Sequence, residues 1–112
     1  MRFYGNREAN AAVIEGKKYD ATADNTTEIA THQDGYGNSF GDYRETLYVT
    51  NNGSYFVCGS GGAQTRWSSY DGNMHGPGSG VVAMTMEEAL RWCEQHDVDV
   101  DVVEEHFDIE EA

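Results

Sequence analysis

Apolar residues follow two different periods along the 112-residue chain. Up to residue 84, short runs of β-branched and aromatic residues alternate with stretches rich in glycine, asparagine and serine, as is typical of short strands joined by turns. From residue 85 onward, apolar residues recur three and four positions apart, which is the period of an amphipathic helix. The pattern therefore predicts strands followed by helices, the order of an α+β domain.

The strongest local pattern lies in the middle of the chain. Two β-rich runs, residues 45–50 and 54–58, flank the tripeptide Asn51-Asn52-Gly53. Because asparagine and glycine tolerate the positive φ of a primed turn, this spacing predicts a β-hairpin closed by Asn52-Gly53. Both faces of the two runs are apolar or aromatic. We therefore expect a helix to cover one face and loops to cover part of the other.

Weaker patterns predict the rest of the β-structure. Further short strands are expected at residues 12–14, 17–20, 26–31, 64–68 and 80–84. The polar N-terminal residues 1–11 are predicted to be a flexible arm. Residues 34–42 are predicted to be an exposed glycine-rich loop, and residues 71–79 a mobile one.

Helix signals begin at Thr85. The tetrapeptide Thr85-Met86-Glu87-Glu88 matches a capping box, in which the threonine and Glu88 side chains each bind the other residue's backbone amide. One apolar face follows at helical spacing, with Trp92 at its flank: Met86, Ala89, Leu90 and Cys93. The helix is predicted to end near His96.

A second short helix is predicted near Asp101, with Asp99 or Asp101 as its cap and an apolar side formed by Val100, Val103 and Phe107. The whole chain, residues 1–112, is predicted to be one α+β domain. In this domain, a small antiparallel sheet of four or five strands with a central hairpin is predicted to pack against one or two C-terminal helices. Residues 81–112 are predicted to contribute one strand and an acidic helical segment.

Charge is distributed unevenly. The chain has 20 acidic residues against 7 lysines and arginines, a net charge of -13. In residues 81–112 a single base, Arg91, opposes eleven carboxylates, so this segment has a net charge of -10. A field of one sign repels nucleic acids and anionic membranes and attracts cationic partners. The segment is therefore predicted to bind a basic protein surface through Glu87, Glu88, Glu94, Asp97, Asp99, Asp101, Glu104, Glu105 and Asp108.

Two alternatives stay open. The acidity can serve only solubility or adaptation to salt. The chain can also be a small accessory or regulatory domain, which binds its partner through aromatic residues of the glycine-rich loops: Tyr36, Phe40, Trp67 and Tyr70.

The spacing of the reactive residues predicts no catalytic residues, no metal and no cofactor. Cys58 and Cys93 have apolar neighbours and are interpreted as reduced core residues of a cytoplasmic protein, since no secretory signal or membrane-length apolar run is present.

A zinc site would combine Cys93 and His96 with Cys58 and His75, but zinc sites normally show two paired-ligand motifs. A thiol- or metal-dependent enzyme would likewise need Cys58 close to His75.

Two other motifs are incomplete. The series Asp97, Asp99, Asp101 begins like a calcium-binding loop, but Val102 occupies the position where such loops have glycine. The segment Gly59-Ser60-Gly61-Gly62 follows a strand but lacks the lysine of a phosphate-binding loop. The first is interpreted as part of the acidic surface, and the second as a tight turn.

Four segments of the chain together resemble a known group of proteins: residues 16–20, 45–56, 59–62 and 86–89. The group consists of short bacterial and phage- or plasmid-borne proteins without an assigned activity, and the resemblance covers roughly residues 12–107. It implies an origin on mobile genetic elements and supplies no active site.

By class, small acidic proteins of mobile elements look like inhibitors of bacterial defence, including anti-CRISPR proteins and DNA mimics. B-DNA presents one negative charge per about 1.7 Å of its axis, so a fixed array of carboxylates can occupy a groove meant for DNA. The expected function is therefore inhibition of a nucleic-acid-binding defence complex inside a bacterial host cell, without catalysis.

Overall fold

Short strands and tight turns build most of the chain, and two helices complete it. A computed structural model describes residues 3–5, 10–35 and 39–112. The strands are β1 (Phe3–Gly5), β2 (Ala11–Ile14), β3 (Lys17–Asp20), β4 (Thr26–Asp34), β5 (Tyr43–Thr50), β6 (Tyr55–Gly61), β7 (Ser69–Asp71), β8 (Met74–Gly76) and β9 (Gly78–Met84). The helices are α1 (Met86–Gln95) and α2 (Val100–His106).

The main sheet is antiparallel and has five strands in the order β1-β9-β6-β5-β4. Strands β2 and β3 form a separate hairpin, as do β7 and β8. The predicted α+β class, the antiparallel sheet with a central hairpin and the C-terminal helices are confirmed. Within the predicted flexible arm, Phe3–Gly5 forms strand β1 against β9, and residues 1, 2 and 6–9 lie outside the described part.

The central hairpin closes through a wider turn than predicted. Gly53 has a φ of 79°, and its N–H donates to the Thr50 carbonyl at 2.9 Å. Asn52, unlike Gly53, does not have a positive φ. The loop therefore has the three-residue form, in which a type I turn is followed by a glycine in the left-handed conformation. The two-residue primed form occurs instead between β2 and β3, where Glu15 and Gly16 have φ values of 52° and 80°.

Three predictions on the segment before β9 were wrong. Residues 59–61, interpreted as part of a tight turn, are the end of strand β6 and pair with both β5 and β9. Residues 64–68 form a turn rather than a strand, because the Thr65 hydroxyl donates to the Gly62 carbonyl and accepts from the Trp67 N–H. Such local side-chain bonds compete with strand pairing. The predicted loop at residues 71–79 contains the β7–β8 hairpin and the start of β9.

The main sheet has a hydrophobic core on each face, because successive strand residues point to opposite sides. On one face, inward residues of β4, β5, β6 and β9 meet the helices: Ile29, Leu47, Tyr55, Val57 and Val82 pack with Ala89, Trp92, Cys93 and Phe107. On the other face, the β2–β3 hairpin contributes Ile14 and Tyr19 against Phe56 and Val81. A hairpin, rather than the expected loops, therefore covers the second face.

Helix α1 begins at the predicted capping box. The Thr85 N–H donates to Glu88 Oε1 at 2.9 Å, and the Glu88 N–H donates to Thr85 Oγ1 at 3.1 Å. The buried face differs from the prediction: Trp92 is 3% exposed, whereas Met86 is 59% exposed. The buried stripe passes through Ala89 and Trp92, so Met86 lies beside it.

The connection to α2 is short and well defined. Asp97 has a φ of 51°, and the Val98 N–H donates to the Cys93 carbonyl at 3.1 Å, the bond pattern of a Schellman motif. Asp99 is the N-cap residue of α2, as one of the two predicted possibilities, but its side chain makes no capping hydrogen bond. The turn aims α2 back so that Phe107 reaches the helix-side core.

Candidate functional site

Six of the nine predicted partner-binding acids lie on α1 and α2, and the other three, Asp97, Asp99 and Asp108, lie in the connection between the helices or directly after α2. All of them are exposed except Glu88, which is half-buried in the capping box. The buried side chains of Ala89, Trp92, Cys93 and Phe107 fix the helices to the sheet. We call the surface that these acids form the acidic helical face; it comprises Glu87, Glu88, Glu94, Asp97, Asp99, Asp101, Glu104, Glu105 and Asp108.

The charge of the acidic helical face is not balanced locally. The ion pairs that join described residues, Lys18 with Asp20 and Arg66 with Glu45, both lie outside the helices. Arg91 is the single lysine or arginine within the sequences of α1 and α2. Carboxylates therefore outnumber lysine and arginine on this surface, and the excess is of one sign.

The structure separates the aromatic candidates. Phe40 is 69% exposed and Tyr70 is 64% exposed, so both are available for contact. Trp67 is fully buried, which corrects its interpretation as an exposed loop residue: the turn at residues 65–68 directs its ring into the helix-side core. Tyr36 lies outside the described residues.

Sequence reasoning missed a buried carboxylate, that of Glu45 in β5. Its side chain points to the helix side, and the residue is only 4% exposed. Glu45 Oε2 accepts hydrogen bonds from Trp67 Nε1 at 2.8 Å and from Arg66 Nε at 2.9 Å. Its Oε1 accepts from Trp92 Nε1 at 2.8 Å. One carboxylate thus joins the sheet, the turn at residues 65–68 and helix α1.

Gly59 makes room for this arrangement. It lies opposite Glu45 in the register of β5 and β6. A Cβ atom on Gly59 would lie 2.2 Å from Cε2 of Trp67, closer than any van der Waals contact permits. The Arg66 guanidinium carbon lies 4.8 Å from the centroid of the same indole, as in cation–π contacts. The absence of a side chain at residue 59 therefore lets the Trp67 ring pack directly against this residue while its Nε1 donates to Glu45.

The environment of Glu45 keeps it ionised. Burial pushes its pKa upward, but hydrogen bonds from Trp92, Arg66 and Trp67 and the charge of Arg66 outweigh burial, so the pKa is lowered below its ordinary value. Both of its oxygens accept hydrogen bonds from protein donors, Oε2 from two and Oε1 from one. A carboxylate in this state stabilises the fold and is a poor general acid, which would require a raised pKa.

An open cleft of about 710 Å³ lies over Glu45, between the sheet and α1. On its wall the His32 and His96 rings stack with centroids 3.9 Å apart, and Trp92 meets His96 edge-on at 4.7 Å. Burial, followed by repulsion from His32, lowers the pKa of His96. Burial and the charge of Glu45 raise the pKa of the nearby Tyr43 hydroxyl.

The thiols are poorly suited to nucleophilic chemistry. Burial, with a smaller contribution from Asp20, raises the pKa of Cys58 to about 12. Burial and Glu94 raise the pKa of Cys93. Because the reactive form of cysteine is the thiolate, both environments disfavour it at neutral pH.

The residues of the zinc alternative belong to different parts of the fold. Cys58 packs on the hairpin side of the sheet and Cys93 on the helix side. His75 is exposed on β8, with its ring 4.9 Å from that of Tyr70 on β7. Within the described ranges, no three histidine, cysteine or acidic side chains are grouped so that they could hold a metal ion.

One feature of the sequence indicates that Glu45 is buried. Period-2 alternation places it on the same face of β5 as Tyr43, Leu47 and Val49, so a charged residue occupies an inward position. A buried carboxylate needs donors. Those donors, Arg66, Trp67 and Trp92, are 21 to 47 residues away, so local spacing could not identify them.

Comparison with known proteins finds no match: no protein-family model, no curated protein and no solved structure corresponds to this chain. In the part of the chain that the structure describes, neither helix is long and apolar enough to span a membrane.

Proposed function

We propose that this protein is a non-catalytic inhibitor that binds a basic, nucleic-acid-binding surface of a bacterial defence complex, in the manner of acidic anti-CRISPR proteins and DNA mimics. The contact surface is the acidic helical face. The main support is that the exposed carboxylates lie on or directly beside two helices that pack on the helix-side core, α1 through buried residues and α2 through partly buried valines and the adjoining Phe107. The proposal places the protein in the cytoplasm of a bacterial host cell.

Rigid attachment matters for this function. A disordered acidic tail loses conformational freedom when it binds, and that loss weakens binding. In α1 and α2 the backbone is already ordered, and the Schellman turn at Asp97 sets the direction of one helix relative to the other. The carboxylates therefore form an array that meets a basic groove at little further entropic cost.

The sign of the charge selects the partner. The helical segment repels DNA, RNA and anionic membranes, whereas a groove lined with lysine and arginine for DNA attracts it. Binding of this kind weakens as salt rises, because screening acts on exposed charges.

Competition with DNA tests the proposal. A panel of purified DNA-binding defence complexes is mixed with labelled target DNA, and DNA binding is measured with and without the protein at low and high salt. We expect the protein to displace DNA from at least one complex, and the displacement to weaken at high salt. A triple variant, Glu104→Lys with Glu105→Lys and Asp108→Lys, is expected to lose the effect.

A matched control separates location from total charge. The variant Asp24→Lys with Glu28→Lys and Asp34→Lys has the same formal charge, but its exposed sites lie outside the helices. It should still displace DNA. Equal loss in both triple variants, displacement that is indifferent to salt, or failure to displace DNA from any complex would contradict the proposal.

Exposure of Phe40 and Tyr70 favours one second candidate, an accessory or regulatory domain that binds a partner through its aromatic loops. In that case the double variant Phe40→Ser with Tyr70→Ser abolishes association, and the triple lysine variant on the helices leaves it intact. Affinity measurements on these two variants distinguish the two functions.

A further inference from the structure

An apolar groove lies beside the acidic helical face. It has a volume of about 470 Å³ and is bounded by α1, α2 and the segment that follows α2. Leu90, Val98 and Val103 line it and belong to the outer layer of the helix-side core. This volume is within the range of about 300–1,000 Å³ typical of clefts that hold ligands.

Two large aliphatic side chains at this groove are left exposed to solvent. Val100, the first residue of α2, is 71% exposed, and Ile109, after α2, is 43% exposed. Single exposed apolar side chains are common on protein surfaces, whereas several that border one groove are typical of a contact surface. Burial of these two residues would stabilise a complex.

The groove is surrounded by negative charge alone. Its lining includes five acidic residues and no lysine or arginine: Glu94, Asp97, Glu104, Glu110 and Glu111. A partner that fills the groove therefore needs apolar side chains for the floor and cationic side chains for the rim. An amphipathic helix meets both requirements, because its apolar stripe at i, i+3, i+4 and i+7 has polar residues on either side.

We infer that this groove binds a basic amphipathic helix of the partner, whose leucine-like anchors cover Val100 and Ile109 while its lysines and arginines pair with the surrounding carboxylates. The inference rests on the proposed function, and it adds that the part of the partner that binds here is a basic amphipathic helix. A second copy of this chain is a poor occupant, since it would bring the same negative surface against this one.

Two model peptides of equal charge test the inference. One has leucines at i, i+3, i+4 and i+7 and lysines elsewhere, and the other has serine in place of each leucine. Their affinities for the whole protein are measured by fluorescence anisotropy at low and high salt. The leucine peptide should bind at least about tenfold more tightly, because burial of a few aliphatic side chains contributes that much.

The groove variant is Val100→Ser with Ile109→Ser, which leaves every charge in place. It should remove most of the preference for the leucine peptide. The control variant, Val13→Ser with Met74→Ser, changes two exposed apolar residues elsewhere and should keep the preference. Ile109→Ser alone, outside both helices, keeps the test valid if the double variant is unstable.

Other outcomes would overturn the inference. If both peptides bind equally and the triple lysine variant abolishes binding, the groove is not used, although the proposed function survives. If neither peptide binds at low salt, the inference about the groove fails, and the DNA-competition measurement decides the proposed function separately. If sedimentation shows a dimer that the groove variant dissociates, a second copy occupies the groove instead of a basic helix.

Discussion

Carboxylates play two opposite roles in this protein. Glu45 is 4% exposed and accepts hydrogen bonds from two indoles and an arginine. Glu104 and Glu105 on α2 are exposed and make no ion pair with any described residue. The same chemical group thus belongs to the core in one region and to a solvated surface in the other.

The difference shows that burial and donors, rather than charge as such, determine what a carboxylate does. A buried charge is tolerated only when it is paired and hydrogen-bonded, and loss of one partner is then strongly destabilising. An exposed carboxylate interacts mainly with water and contributes little to stability. It therefore stays available for a partner.

Replacing a glutamate by alanine should change the free energy of unfolding far more at Glu45, in the core, than at Glu104, on the surface of α2. Glu45→Ala removes the carboxylate that accepts from the Trp67 and Trp92 indoles and from Arg66, and it should lower the free energy of unfolding by about 3–5 kcal/mol. Glu104→Ala should change it by no more than about 0.5 kcal/mol. Urea unfolding followed by circular dichroism measures both. Similar changes in unfolding free energy for the two variants would show that the hydrogen bonds of Glu45 do not stabilise the fold.

Acidification should reduce the contribution of Glu45. Because its pKa is lowered in the folded protein, ionised Glu45 stabilises the fold above its unfolded-state pKa, and this stabilisation is lost as the pH falls through the folded-state pKa. The gap in unfolding free energy between wild type and Glu45→Gln should be constant near neutral pH and narrow in acid. A gap that widens in acid would contradict the lowered pKa.

Gly59 should be sensitive to a single methyl group. Gly59→Ala forces the added Cβ against the ring of Trp67 and should cost about 1–3 kcal/mol of stability, with a change in tryptophan fluorescence. Gly41→Ala is the control, because a Cβ at Gly41 meets nothing within 4 Å. Equal stability of the two variants would mean that Trp67 does not lie against residue 59.

The smallest effect on stability is expected on the acidic helical face. The triple lysine variant at Glu104, Glu105 and Asp108 should keep its unfolding free energy to within about 0.5 kcal/mol per substitution. Its association with a basic partner should nevertheless be lost. Thermal unfolding together with the DNA-competition measurement checks this separation, and a large loss of stability would assign these acids to the fold.

Local patterns predicted much of the architecture. The hairpin runs, the capping box at Thr85 and the helical spacing of Ala89 and Cys93 all depend on neighbouring residues, so they could be read in order along the chain. The turn at residues 65–68 could not, because Thr65 replaces backbone pairing with hydroxyl hydrogen bonds. The burial of Trp67, which was interpreted as an exposed loop residue, depends on a hydrogen bond to Glu45 across 22 residues and could not be predicted locally either.

By itself, the sequence determined that strands precede two C-terminal helices and that negative charge is concentrated in residues 81–112. Both follow from composition and short-range periodicity. Only the tertiary structure decided which carboxylate is buried, since Glu45 meets Trp92 across 47 residues. It also decided that five acids of the C-terminal segment line an apolar groove. Long-range contacts create these environments, and no local pattern encodes them.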